Sequence, residues 1–174
     1  MNTANKLTIL RIIFVPVFVY VFFSPFSYAS IVALTIYILA GVTDFLDGFI
    51  ARKYNMQTKL GIVLDPLADK LMIIFVILSL AIKNLVPFWV LAVIVIKEST
   101  MILLGVILYN KNLIIPSNMI GKVSTTIFYV AICLLILSVK WAIWFLYLAL
   151  FLSLFSFVTY YFFYNRNFKN KKDL

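Results

Sequence analysis

Apolar residues fill six long stretches of this chain, approximately 10–27, 30–50, 62–82, 86–108, 118–138 and 141–163, separated by short polar or proline-containing breaks. A helix that crosses a bilayer needs roughly 20 largely apolar residues, so each stretch predicts a transmembrane helix. Ahead of the first, Asn5-Lys6-Leu7-Thr8-Ile9-Leu10-Arg11 alternates apolar and polar positions at helical spacing, which predicts a short helix lying in the membrane interface. A cleaved signal peptide is the competing reading of this start; the length of the apolar stretch and the lack of a small-residue cleavage site after it argue against that. The expected fold class is an all-α integral membrane protein, with six transmembrane helices and a short N-terminal interfacial helix, forming one domain over residues 1–174.

Composition agrees with the pattern. Of the 174 residues 65% are hydrophobic and 12% charged, too few polar groups to coat a water-facing globule. There is no histidine, which removes Ser-His-Asp hydrolysis, histidine-ligated zinc and phosphohistidine chemistry. Cys133 is the single cysteine and lies in an apolar run, so it is read as packing. Fifteen Lys plus Arg against six Asp plus Glu give a net charge of +9. In so apolar a chain the partner of that charge is anionic lipid, and no nucleic acid is expected. Assigned to alternate ends of the six stretches, twelve cations fall on one side: Lys6, Arg11, Arg52, Lys53, Lys59, Lys70, Lys111, Lys122, Arg166, Lys169, Lys171 and Lys172. Only Lys83 and Lys140 fall on the other, with Lys97 inside a stretch. Cations accumulate on the cytoplasmic side of membrane proteins, so both termini are expected there. The tail from Arg166 reads as a solvated basic segment at the membrane surface, helical near its start.

The acidic residues carry the chemistry. At about 100° per residue, Asp44, Asp47, Gly48 and Ala51 share one helical face at the end of the second stretch, and Gly61, Asp65 and Asp69 form a stripe opening the third. The eight residues between Arg52 and Gly61 make the two helices antiparallel neighbours, so four carboxylates converge near the cytoplasmic interface. An ionised Asp costs about 2.5–3.5 kcal/mol at mid-span, less toward the interface, and four together also repel. Hard oxygen ligands of this kind suit Mg²⁺, Mn²⁺ or Ca²⁺, and two divalent ions balance four charges. Carboxylates bridging two metals recur where phosphoryl or phosphodiester groups are transferred. Read singly, Asp44 and Asp47 fit ordinary interfacial residues, and Asp65-Pro66 fits an N-cap followed by proline at the first helical position. Gly48 and Gly61 fit helix-packing positions as well as places where a ligand approaches the backbone.

The assembled pattern D-x-x-D-G-x-x-A-R, eight residues, then G-x-x-x-D-x-x-x-D runs without a gap from Asp44 to Asp69. It resembles the signature of the CDP-alcohol phosphatidyltransferase family, and chain length and span number extend the resemblance over the whole sequence. The resemblance implies that a CDP-linked lipid, CDP-diacylglycerol, donates its phosphatidyl group to a small phosphorylated alcohol with release of CMP. It implies Mg²⁺ or Mn²⁺, as two divalent ions, held by Asp44, Asp47, Asp65 and Asp69, with Asp69 also the catalytic base toward the acceptor hydroxyl. Gly48, Ala51, Arg52 and Thr58 are the implied contacts to the CDP moiety, with Asn5 and Thr8 assisting. A homodimer, a multi-pass location in the plasma membrane and an active site facing the cytoplasm are implied as well.

Within the family, Asn5 to Arg11, Leu64 to Lys70 and Gly121-Lys122-x-x-Thr125 are most similar to the branch whose acceptor is sn-glycerol 3-phosphate. A phosphorylated acceptor needs cations, and Lys97, Lys122 and Lys111 are the candidates; Lys97, inside a span, should pair with Glu98 or with substrate. That branch usually has Arg-Glu where this chain has Lys97-Glu98. Leu39 to Lys53 is also similar to the branch that makes cardiolipin with phosphatidylglycerol as acceptor, which stays the alternative. A reading from another class, a divalent cation transporter using the acidic cluster, requires polar residues across the bilayer, and the middles of the later stretches are almost uninterruptedly apolar.

Overall fold

The computed structural model describes residues 3–53, 59–110 and 119–172, with side chains over 9–46, at 68, and over 70–103 and 119–159. Among these residues the regular structure is entirely helical: α1 (Thr3–Phe23), α2 (Ala29–Lys53), α3 (Lys59–Ile82), α4 (Phe88–Asn110), α5 (Met119–Ile136) and α6 (Ala142–Lys172). Helices are what lipid demands, because each backbone donor and acceptor is then satisfied within its own segment. Among the described residues, Ala29–Leu46, Met119–Ile136 and Ala142–Thr159 are long and apolar enough to cross a bilayer, and Ile9–Phe23 and Lys70–Ile82 are shorter apolar helices. Large apolar side chains such as Tyr20, Ile31, Ile96, Leu103 and Phe151 point outward, the opposite of a water-soluble core. The chain is an all-α membrane protein.

The helix ends have local causes, and several differ from the sequence expectation. No separate interfacial helix precedes the first span: residues 5–11 are the opening turns of α1 itself. That helix stops at Phe23 rather than 27, because Pro25 disfavours a helical conformation at Ser24. Ser24 instead bonds back through its amide to Val21 O at 3.1 Å and its hydroxyl to Tyr20 O at 2.7 Å. Helix α3 begins at Lys59, so Asp65 is an interior residue and not an N-cap. It ends in a Schellman turn: Leu85 N donates to Leu80 O and Asn84 N to Ala81 O, with Asn84 at φ 59°. The same turn closes α5, with Val139 N on Leu134 O, Ser138 N on Leu135 O and Ser138 at φ 61°. Helix α6 continues through the basic tail to Lys172.

The chain divides into two compact units, Met1–Leu91 with Cys133–Val139, and Ala92–Ile132 with Lys140–Leu174. In the first, α1 is the helix on which both α2 and α3 pack, while α2 and α3 meet each other at few described positions. Val15, Phe18 and Phe22 form the buried stripe of α1, and Ala29, Ala33, Tyr37 and Ala40 that of α2. Alanines there let α1 approach closely, which in a membrane replaces the missing hydrophobic drive with van der Waals contact. Met72, Val76 and Leu80 continue the core on α3. In the second unit α5 and α6 meet along small residues. Ser124 Oγ donates to Ala149 O at 2.8 Å, and a Cβ built on Gly121 would stand 3.0 Å from Ser156 Oγ.

Candidate active site

Extending the two buried stripes of α1 and α2 by one turn toward the acidic end brings them to charged residues. Arg11 precedes Val15 by four positions and Asp44 follows Ala40 by four, so the packing that joins the helices also brings these two side chains together. Arg11 Nη1 lies 2.7 Å from Asp44 Oδ1. This is an ion-pair distance, without the aligned N–H of a hydrogen bond. The two partners differ sharply in environment: the Arg11 side chain is 1% exposed and that of Asp44 46%. Beside it, Thr43 turns its hydroxyl back to Ala40 O at 2.8 Å.

Asp44 is the one member of the expected carboxylate set whose side chain is described. Asp47, Gly48, Ala51 and Arg52 occupy the last turns of α2, and Asp65 and Asp69 the first half of α3, so the helical spacing that groups them holds along both helices. Their side chains lie outside the described residues, as do those of Asn5 and Thr8 on the first turns of α1; Thr58 and Lys111 lie outside altogether.

Of the acceptor candidates, Lys97 and Glu98 sit mid-way along α4, and Lys97 Nζ donates to Glu98 Oε1 at 2.6 Å. Successive helical residues point about 100° apart, and the long lysine stem closes that gap. Both are largely shielded, so the pairing expected of a cation inside a span is met by its sequence neighbour. Lys122 is exposed on the first turn of α5. The hydroxyls after it are spent locally: Thr125 Oγ1 donates to Gly121 O at 2.9 Å and Thr126 Oγ1 to Lys122 O at 3.1 Å.

Arg11 is the residue that charge counting passes over. Counted among the cations of the cytoplasmic side and placed at the end of an interfacial stretch, it lies within the opening turns of α1 with its side chain buried. The available signal was its position, since an arginine inside the first turns of a span is costly and faces the protein interior toward a counter-ion.

An all-helical membrane chain with an eight-position acidic motif on the adjoining ends of two helices defines a class, and comparison with known proteins agrees. The sequence matches the CDP-alcohol phosphatidyltransferase family over residues 1–155. It is 32% identical over 148 residues to the CDP-diacylglycerol--glycerol-3-phosphate 3-phosphatidyltransferase of Bacillus subtilis (strain 168), covering 78% of this chain and 77% of that protein. The protein of the same name from Wigglesworthia glossinidia brevipalpis is 38% identical over 141 residues, 76% of this chain and 75% of its own length. A probable phosphatidylglycerophosphate synthase of Mycobacterium tuberculosis is 36% identical over 142 residues, 80% of this chain and 68% of that one. The chain belongs to the CDP-alcohol phosphatidyltransferase family, and is therefore a transferase rather than a cation transporter.

Proposed function

We propose that this protein transfers the phosphatidyl group of CDP-diacylglycerol to sn-glycerol 3-phosphate, giving phosphatidylglycerophosphate and CMP. The observation that carries the reading is the uninterrupted motif from Asp44 to Asp69 on the adjoining ends of α2 and α3. Relatives named for that reaction support the choice of acceptor over phosphatidylglycerol. In this reading all six helices cross the plasma membrane as one domain over 1–174, the termini and the acidic motif face the cytoplasm, and the chain works as a homodimer. The twelve-to-two distribution of cations supports that orientation.

The donor set fits a hard divalent cation: it is oxygen-only, and Asp44, its described member, is half exposed. Asp44, Asp47, Asp65 and Asp69 would hold Mg²⁺ or Mn²⁺, which when bound would supply positive charge to the pyrophosphate and to the departing CMP. Arg52 contacts phosphate through its planar fork, and Gly48 and Ala51 leave room beside the α2 backbone for the CDP moiety, with Thr58, Asn5 and Thr8 contributing polar contacts. Lys97, Lys122 and Lys111 neutralise the phosphate of the acceptor. The acceptor hydroxyl oxygen bonds to the phosphorus that bears diacylglycerol, and its proton passes to Asp69. The bond from that phosphorus to the oxygen shared with cytidine monophosphate breaks, and its electron pair leaves on CMP.

The test is a side-by-side assay of purified protein with CDP-diacylglycerol and Mg²⁺, offering sn-glycerol 3-phosphate or phosphatidylglycerol. Phosphatidylglycerophosphate and CMP should form with the first and nothing with the second. Cardiolipin from the second, or no CMP with either, overturns the assignment.

A further inference from the structure

A buried guanidinium needs a reason, because it stays charged at any accessible pH and is costly to remove from water without a partner. Arg11 is among the largest fully buried side chains of the protein, held in the stripe that continues through Val15, Phe18 and Phe22. It forms an ion pair with Asp44, a proposed cation ligand. We propose that Arg11 is a positioning residue for that site: from α1 it fixes the Asp44 carboxylate at the end of α2 in the orientation that presents its other oxygen to a divalent cation. The inference rests on the reading of Asp44 as a ligand.

Three observations support it. First, the contact is asymmetric: Oδ1 faces a packed guanidinium 2.7 Å away, whereas the carboxylate as a whole is 46% exposed, so one side is anchored and the other open. An ordinary surface ion pair, with two mobile chains, fixes nothing. Second, Arg11 comes from a third helix. The motif residues lie on α2 and α3, each of which packs on α1, so α1 is placed to set the geometry at their adjoining ends. Third, Thr43, the nearest hydroxyl in sequence, is turned back onto Ala40 O and does not take over the role. Outer partners of metal-ligating carboxylates orient them, and losing one typically costs ten- to a hundredfold in metal affinity.

A cation beside a metal site also repels the metal, so orientation and charge predict opposite signs, and that makes the test decisive. Mn²⁺ is titrated into the full-length protein in lipid nanodiscs without substrate, free Mn²⁺ being read by electron paramagnetic resonance. Arg11→Met suits the apolar surroundings of the position, and Arg11→Gln keeps a donor; whichever folds is sufficient. Each should raise the Mn²⁺ Kd about ten- to a hundredfold, Arg11→Lys should lie closer to the original protein, and Arg11→Met should add nothing once Asp44→Asn is present. An unchanged or tighter Kd in the folded Met or Gln variant, with Asp44→Asn still weakening Mn²⁺, overturns the positioning role and leaves the ligand reading standing. Unchanged Mn²⁺ binding in Asp44→Asn removes the ligand reading and this inference with it.

Discussion

Lys83, one residue past the end of α3, donates to the carbonyl oxygen of Phe22 at 2.6 Å and lies 4.0 Å from the centre of the Phe22 ring. That carbonyl belongs to the last turn of α1, where no amide of the helix remains to serve it. One cation therefore caps the α1 carboxyl end, sits on an aromatic face and joins two helices that run in the same direction. Lys83 is exposed although Phe22 is buried, so the contact is worth about 1 kcal/mol rather than the larger figures of fully buried pairs. Lys83→Met should lower the melting temperature in detergent by a few degrees, with Lys83→Arg retaining most of the stability. Asp69 is about 20 Å away along α3 at 1.5 Å per residue, so the CDP-diacylglycerol KM should not move. A Met variant as stable as the parent would show that the contact contributes nothing.

The two Schellman turns differ in the residue that bears positive φ. Asn84 tolerates the left-handed region, since its short amide side chain bonds locally, but Ser138 at φ 61° carries a Cβ penalty with less relief. Ser138→Gly should stabilise the protein by about 0.5–1 kcal/mol and Asn84→Gly by clearly less. A β-branched residue at 138 should do the reverse. The order of the two glycine variants in thermal unfolding is the check; equal gains, or a loss at 138, would contradict the strain argument.

How far each feature was legible follows from its range along the chain. Six apolar blocks announce six helices because burial in lipid is a local, additive demand. The acidic motif is legible for the same reason, since i, i+3 and i+4 spacing puts Asp44 and Asp47 on one face whatever surrounds them. Helix ends were less legible: an apolar run continuing to 27 hid the stop that Pro25 imposes at Phe23, and nothing local marks Ser138 as a left-handed cap. The pairing of Arg11 with Asp44 joins residues 33 positions apart, and the Lys83 contact with Phe22 spans 61. Neither has a sequence signature beyond a charge in an expensive place. Lys97 shows the converse, a costly cation whose partner proved to be its immediate neighbour.

The seam between α5 and α6 offers a coupling test. A methyl group at 121 would press on Ser156 Oγ at 3.0 Å but stand 3.9 Å from Ser156 Cβ, an ordinary contact. Gly121→Ala gains about 1 kcal/mol of helix propensity and loses a comparable amount to crowding, so alone it should change stability little. With Ser156→Ala the crowding disappears, and the double variant should exceed the sum of the single ones by about 0.5 kcal/mol or more. Gly121→Leu leaves no such escape and should cost about 1–3 kcal/mol. Strict additivity of the alanine pair in a double-mutant cycle would mean the helices are farther apart at this point.

Donor and acceptor chemistry separate in two further variants. Asp69 is assigned both a share of the cations and the acceptor proton, while Lys122, exposed at the head of α5, is assigned only the acceptor phosphate. Asp69→Asn keeps size and a coordinating oxygen but loses the basicity that makes a hydroxyl nucleophilic, a loss of about 10²–10⁴ in kcat for a general base. Metal-dependent binding of CDP-diacylglycerol should survive at least in part. Lys122→Ala should leave the donor KM near its original value and raise the sn-glycerol 3-phosphate KM about tenfold or more, the usual result of removing a charge that binds ground and transition states alike. Steady-state kinetics with each substrate varied in turn reads both effects. Unchanged turnover in Asp69→Asn would strip it of the proton, and equal shifts of both KM values in Lys122→Ala would place that lysine outside the acceptor's binding contacts.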